Sequence, residues 1–146
     1  MKKLLPQANT LATVIKTFIY VSNKENCSLH DVAQFCGFEV RQASYYCNAC
    51  YYLGLLNEDL KSTDLGLDIL TNARDVRRRV YELIVNDELI GKIFAKRLLY
   101  GKDVAICFGI DLIRNLYPDY SNAVIDRRAK SLVGWCEEII RYINSA

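Results

Sequence analysis

The chain is poor in proline and glycine, with only two Pro and seven Gly among 146 residues. This scarcity excludes collagen-like and linker-like compositions. Because 51% of the residues are apolar, disorder over most of the length is excluded as well. Nineteen Lys and Arg against seventeen Asp and Glu leave a net charge of only +2. A protein that holds nucleic acid mainly by bulk positive charge would carry more, so any such binding must depend on local geometry.

Long uncharged apolar runs are also missing. No stretch of about 18 apolar residues is free of charge, so the sequence predicts no transmembrane helix and no membrane partner. The apolar N-terminal run is interrupted by Gln7, Asn9 and Thr10 before it reaches the length of a secretory signal. We therefore expect a cytoplasmic protein whose six Cys are reduced, small apolar residues of a core.

Histidine is nearly absent, since His30 is the only one. A zinc site at Cys47-x-x-Cys50 would need two more ligands, which neither a second Cys pair nor a His pair supplies. These two Cys fall inside a predicted helix on its apolar face, which favours core packing over redox chemistry. No Gly-rich phosphate loop, nucleophile motif or nuclease-type carboxylate pattern is found. The sequence therefore predicts a protein that is not an enzyme, with no metal and no cofactor.

Helical periodicity dominates the sequence. Apolar residues three and four apart predict a helix after Thr10, a short one after the near capping box at Ser28, and a third from about Glu39 to Leu53. Residues 55–62 are predicted to form a hairpin, followed by four more helices. We expect a mainly α fold, a winged helix-turn-helix (three helices plus a small β-hairpin) over residues 1–70. Residues 71–146 would be a C-terminal helical bundle packed on it, a candidate for dimerisation or for a second helix-turn-helix.

Small residues at three positions support the helix-turn-helix. Ala33 and Ala43 would let two helices cross closely, and Gly37 would supply the left-handed turn between them. The residues on the buried face of the third helix would then be Ala43, Tyr46, Cys47, Cys50 and Leu53. Its outward residues would be Arg41, Gln42, Ser44, Tyr45 and Asn48.

The outward set has the chemistry of a DNA-reading helix. Arg binds guanine bidentately, Gln and Asn bind adenine, and Ser or Tyr bonds phosphate oxygens. Lys61 beside the hairpin turn, and Arg127 and Arg128 on the last helix, would contact the DNA backbone. The expected partner is double-stranded DNA, bound by a homodimer whose two half-sites provide the affinity that the low charge does not.

Several observations keep other interpretations open. Residues 1–66 have no net charge, and the acidic hairpin tip would repel phosphate. Arg127 and Arg128 could instead tie helices together through nearby carboxylates, and the basic run at residues 74–79 is typical of a solvated face. Tyr side chains surround the third helix at positions 45, 46, 51 and 52, which is also typical of a helix held between partners. The alternative function is therefore a protein-interaction adaptor of a larger complex, without DNA binding.

Two segments of the sequence resemble a known family. Residues 38–56 contain an aromatic residue, Arg-Gln, Tyr-Tyr-x-Asn-Ala and Tyr-Leu-Gly-Leu in that order. Residues 122–135 contain Ala-x-x-x-Arg-Arg-Ala-x-x-Leu-x-x-Trp, which is close to an Ala-x-x-Arg-Arg-Ala-x-x-Val-x-x-Trp tail. Both resemble a winged-helix DNA-binding module of bacterial type II restriction–modification and related phage-defence proteins. The resemblance implies DNA recognition in such a setting, beside a nuclease or methylase partner. Ser62 stands where the module favours Leu, which implies a shorter or looser wing.

Overall fold

A computed structural model describes residues 3–145 of the chain. These residues form eight α-helices, and the chain divides after Val80 into two compact units. The helices are α1 (Leu11–Ser22), α2 (Leu29–Cys36), α3 (Val40–Tyr52), α4 (Asp64–Asn72), α5 (Val76–Val85), α6 (Ile90–Tyr100), α7 (Lys102–Leu116) and α8 (Asn122–Ser145). None of the described helices combines the length and apolar character that a membrane span requires. The mainly α prediction agrees with this architecture, although five helices, not four, follow residue 63.

The first unit is built on α1, α2 and α3, which pack against one another. A full capping box starts α2: the Ser28 hydroxyl accepts from the Asp31 N–H, and the Asp31 carboxylate accepts from the Ser28 N–H. Gly37 ends the helix with φ +72°, and the Phe38 N–H donates to the Ala33 carbonyl at 2.8 Å. The predicted turn between the second and third helices is therefore confirmed, with buried Ala33 and Ala43 at the crossing.

The predicted hairpin is wrong, and with it the winged-helix fold. No strand occurs in residues 3–145, and Leu56 and Ser62 form only a single isolated antiparallel bridge. Between them Asn57 closes a compact turn, because its side-chain Oδ1 accepts from the backbone N–H groups of Asp59 and Lys61 at 2.9 and 3.0 Å.

Thr63 prevents the second half of the hairpin from extending. Its hydroxyl donates to the Gly54 carbonyl at 2.5 Å and accepts from the Gly66 N–H at 3.0 Å, which caps α4. The helix therefore begins at Asp64, two residues after the bridge, as the sequence predicts for a helix that follows residue 62. Ser62, in the position where a Leu would favour a strand, instead donates its hydroxyl hydrogen bond to Ser22 at 2.7 Å.

The second unit packs α6, α7 and α8 against one another. Its core includes the fully buried side chains of Trp135, Ile93 and Ile113. Gly109 lets α7 approach closely, because a Cβ there would lie 3.3 Å from the Ile93 side chain and 3.5 Å from the Ala129 side chain. An ion pair between Arg97 on α6 and Glu137 on α8 joins two of the three helices.

Candidate nucleic-acid surface on α3

The buried face of α3 is the one that periodicity predicts. Ala43 and Cys50 are fully buried, and Tyr46, Cys47 and Leu53 are no more than 8% exposed. The Tyr46 ring stacks on Phe38, with 5.2 Å between the ring centroids, so Phe38 fills the space beneath the turn. These contacts fix the rotation of α3 and leave its polar residues on the opposite side.

Arg41 and Gln42 are exposed in the first turn of α3. The Nε of Arg41 donates a 2.7 Å hydrogen bond to the Tyr45 hydroxyl one turn later, and its guanidinium lies 5.8 Å from the centre of that ring. The Ser44 hydroxyl donates to the Arg41 carbonyl at 2.6 Å. Tyr45 therefore holds the Arg41 side chain along the helix, which reduces the rotamer entropy that binding would cost.

Ser44 and Asn48 belong to a different surface of α3. Both line a groove of about 580 Å³ that also contacts the turn at Asn57 and Glu58. Arg41, Gln42 and Tyr45 are not among the residues of this groove. The five residues predicted to read DNA are therefore divided between an exposed N-terminal edge and a recess beside the acidic turn.

Tyr51 lies in the same groove and is engaged within the chain. Its hydroxyl bonds to the Glu58 carboxylate, which raises the pKa of Tyr51. Lys3 donates from Nζ to the Tyr51 carbonyl at 2.8 Å and lies 4.5 Å from the centre of its ring. With Tyr45 bonded to Arg41, two of the four tyrosines around α3 bond to side chains of their own chain.

Two of the three remaining residues predicted to contact phosphate are exposed, and one is buried. Lys61 and Arg127 are exposed. Arg128 is only 8% exposed, and its guanidinium lies 5.4 Å from the centre of the Tyr120 ring. The expectation that Arg128 faces outward is therefore wrong. In the second turn of α8 its guanidinium packs against Tyr120, which stacks on Tyr117 with 4.8 Å between ring centroids.

The cysteines of α3 are core residues. Burial raises the pKa of the Cys47 thiol to about 12 and raises the pKa of Cys50 as well. The Cys50 thiol donates to the Val14 carbonyl at 3.5 Å. Within residues 3–145, no group of three or more His, Cys, Asp or Glu side chains is placed to hold a metal ion. A thiolate nucleophile or a metal ligand would require a lowered thiol pKa, which is the opposite of what this site provides.

Sequence reasoning missed one surface, on the outer side of α1. Tyr20 and Phe35 stack there with 4.0 Å between ring centroids, beside Lys16 and Lys24. A signal was present, since Lys16, Tyr20 and Lys24 recur every four residues and so lie on one face of the chain around α1. The partner ring of Phe35 comes from α2, and its proximity could not be read from that spacing.

Comparison with known proteins gives one result. Neither the curated proteins nor the solved structures contain a significant match to this chain. The family model of a domain of unknown function (DUF7226) matches residues 13–144, which is most of the chain and reaches from α1 into α8. The chain therefore belongs to the DUF7226 family.

Proposed function

We propose that this chain is a non-enzymatic DNA-binding protein that reads the major groove with the N-terminal end of α3. The main support is that Arg41 and Gln42 are exposed in the first turn of α3, the second helix of a helix-turn-helix pair. In such pairs the N-terminal residues of the second helix contact the base edges. Arg and Gln are residue types that distinguish guanine and adenine there. The buried opposite face holds α3 in a fixed orientation.

The charge distribution supports binding by a few placed contacts. Lys and Arg outnumber Asp and Glu by ten to eight in residues 1–80, and the two are equal at nine each in residues 81–146. The whole net charge of +2 thus lies in the unit that contains α3. Because this excess is small, two copies on a two-fold DNA site would supply the affinity. The resemblance of residues 38–56 and 122–135 supports a restriction–modification or phage-defence setting with a nuclease or methylase partner.

The test starts by selecting double-stranded sequences from a random pool with the full chain. Fluorescence anisotropy then compares the wild type with Arg41→Ala on the selected site. We expect Arg41→Ala to weaken binding about tenfold or more, since a bidentate base contact is worth about 1–3 kcal/mol. Arg74→Ala is the matched control, because it removes the same charge from an exposed position outside α3.

Three results would contradict the proposal. One is a selection that enriches no sequence, another is equal loss of affinity in both variants, and the third is an affinity that does not change with salt concentration. Equal loss would show that Arg41 contributes charge but reads no base.

An adaptor role is the second candidate function, and one observation favours it. Leu98, Leu99 and Tyr100, at the end of α6, are 58%, 72% and 61% exposed. Contiguous exposed apolar side chains mark protein contacts. Light scattering on the chain co-expressed with the products of neighbouring genes separates the two functions. A stable hetero-complex that has no DNA affinity would establish the adaptor and reject the first proposal.

A further inference from the structure

The second unit leaves apolar side chains in water where α6 ends and α7 begins. Leu99 and Tyr100, the last two residues of α6, are 72% and 61% exposed. Val104, in the first turn of α7, is 45% exposed. Only Gly101 separates the two helices, so the exposed residues follow one another closely along the chain.

Lys96 shows that these side chains share one surface. Its ammonium lies 5.3 Å from the centre of the Tyr100 ring on α6 and 5.1 Å from that of the Phe108 ring on α7. Leu99 lies one turn after Lys96, and Val104 lies one turn before Phe108. Exposed residues of both helices therefore form one continuous surface, which we call the α6–α7 face.

The area of the α6–α7 face fits one half of a dimer interface. Its exposed side chains, with the partly exposed Phe108, leave on the order of 400 Å² of apolar surface in water. A standard interface buries about 800 Å² on each partner, and homodimer interfaces are about 65% apolar. The face therefore provides most of the roughly 500 Å² of apolar area that one copy contributes to such an interface.

The charges at the edge of the face complement a second copy. Lys92, one turn before Lys96, and Asp103, in the first turn of α7, are both exposed. Neither has an ion-pair partner among the described residues. Lys92 lies about 12 Å from Tyr100 along α6, so the two charges stand near opposite ends of the face. An antiparallel second copy places Lys92 of each copy near Asp103 of the other.

The net charge of the unit also permits self-association. Residues 81–146 contain nine Lys and Arg and nine Asp and Glu, so two second units do not repel each other as units of one charge sign would. The same balance gives no advantage to a strongly acidic or strongly basic partner.

We propose that two copies of this chain associate through the α6–α7 face, with their α6 helices antiparallel about a two-fold axis. In such an isologous contact the same surface of both copies is buried, and Tyr100 supplies the kind of aromatic side chain that is enriched in interface cores. The face lies in the second unit, whereas Arg41 and Gln42 lie in the first. This dimer therefore does not rest on the DNA proposal.

Sedimentation velocity of the full chain, from micromolar to submillimolar concentration, is the first test. We expect a reversible dimer that Leu99→Glu weakens at least about tenfold, because the substitution buries a charge in an apolar contact. Leu98→Glu is the matched control. Leu98 is 58% exposed, and at about 100° per residue it is turned to the other side of α6 from Lys96. It should leave the dimer unchanged.

Mixing two charge variants tests the antiparallel pairing. Lys92→Glu and Asp103→Lys should each weaken the dimer several-fold, because each places like charges opposite one another. An equimolar mixture of the two variants should associate more tightly than either variant alone, because every pair in the mixed dimer then unites opposite charges.

Amide chemical shifts of the ¹⁵N-labelled wild type locate the contact without a substitution. We expect the shifts that change with concentration to cluster at residues 92–108. A chain that stays monomeric, an equal effect of Leu98→Glu and Leu99→Glu, a mixture that gains nothing, or shifts that cluster elsewhere would each overturn the proposal.

A different protein on the α6–α7 face would overturn it as well. That outcome is a monomeric chain whose complex with a co-expressed neighbour is lost in Leu99→Glu and kept in Leu98→Glu. Arg41→Ala should leave dimerisation unchanged, so failure of the DNA proposal and failure of this one are distinguishable.

Discussion

At the scale of single residues, Gly66 shows how closely the backbone of α4 approaches the preceding loop. A Cβ at this position would lie 2.4 Å from the Leu55 carbonyl oxygen and 3.1 Å from the Phe18 ring. The approach is set by Thr63, whose hydroxyl is shared between Gly54 and the first turn of α4. The residue that caps α4 thus also leaves no room for a side chain at position 66.

Gly66→Ala should destabilise the fold by about 2–3 kcal/mol, because the backbone carbonyl of Leu55 cannot move aside as a flexible side chain would. Gly134→Ala is the control, since a Cβ there meets nothing within 4 Å in the interior of α8. That change should be neutral or stabilising by about 0.5–1 kcal/mol, because Ala favours the helix more than Gly does. Urea denaturation followed by circular dichroism measures both, and an equal effect of the two substitutions would contradict the close approach.

At the scale of elements, one polar pair joins α6 and α8. The Nε and Nη2 of Arg97 donate to the two carboxylate oxygens of Glu137. The side chains are 26% and 22% exposed, so solvent screens the pair less than it screens a surface pair. The Arg97 hydrogen bond lowers the pKa of Glu137 below its ordinary value of 4.5. The charged form of Glu137 is therefore the one that the folded chain stabilises.

Glu137→Ala should lower the free energy of unfolding by about 1 kcal/mol at neutral pH. Because the folded-state pKa is lowered, this contribution is complete above the ordinary value of 4.5 and is lost as the pH falls through the lowered pKa. Thermal denaturation over a pH series should show the wild type and the variant converging in acid. Lys130→Ala is the control: it breaks an exposed pair with Asp126 within α8 and should cost no more than about 0.5 kcal/mol.

At the scale of the whole molecule, buried thiols occur in both units. Burial raises the pKa of Cys47 and of Cys136 to about 12 each, whereas Cys107 is exposed. At neutral pH the buried thiols are therefore protonated as well as covered. The same two factors, access and thiolate fraction, decide the rate of alkylation.

A pulse of iodoacetamide at neutral pH should modify Cys107 in the folded chain and leave Cys47, Cys50 and Cys136 unmodified. In urea above the unfolding midpoint all of them should react. Peptide mass spectrometry measures the extent of alkylation at each cysteine. Modification of Cys107 is the internal control that shows the reagent is active. Fast alkylation of Cys47 in the folded chain would contradict the core assignment and reopen a redox role for the Cys47-x-x-Cys50 pair.

The sequence by itself determined the features that depend on neighbours within a few residues. Ser28 and Asp31 form their capping box, Gly37 adopts the left-handed turn, and the 3.6-residue period selects the buried face of α3. Only the tertiary structure decided the features that depend on residues brought together from separate elements. The Thr63 hydroxyl donates to the Gly54 carbonyl nine residues earlier, and Tyr120 covers Arg128. Phe35 of α2 stacks on Tyr20 of α1. Local sequence patterns do not predict such contacts, because the environment of a side chain depends on which distant element packs against it.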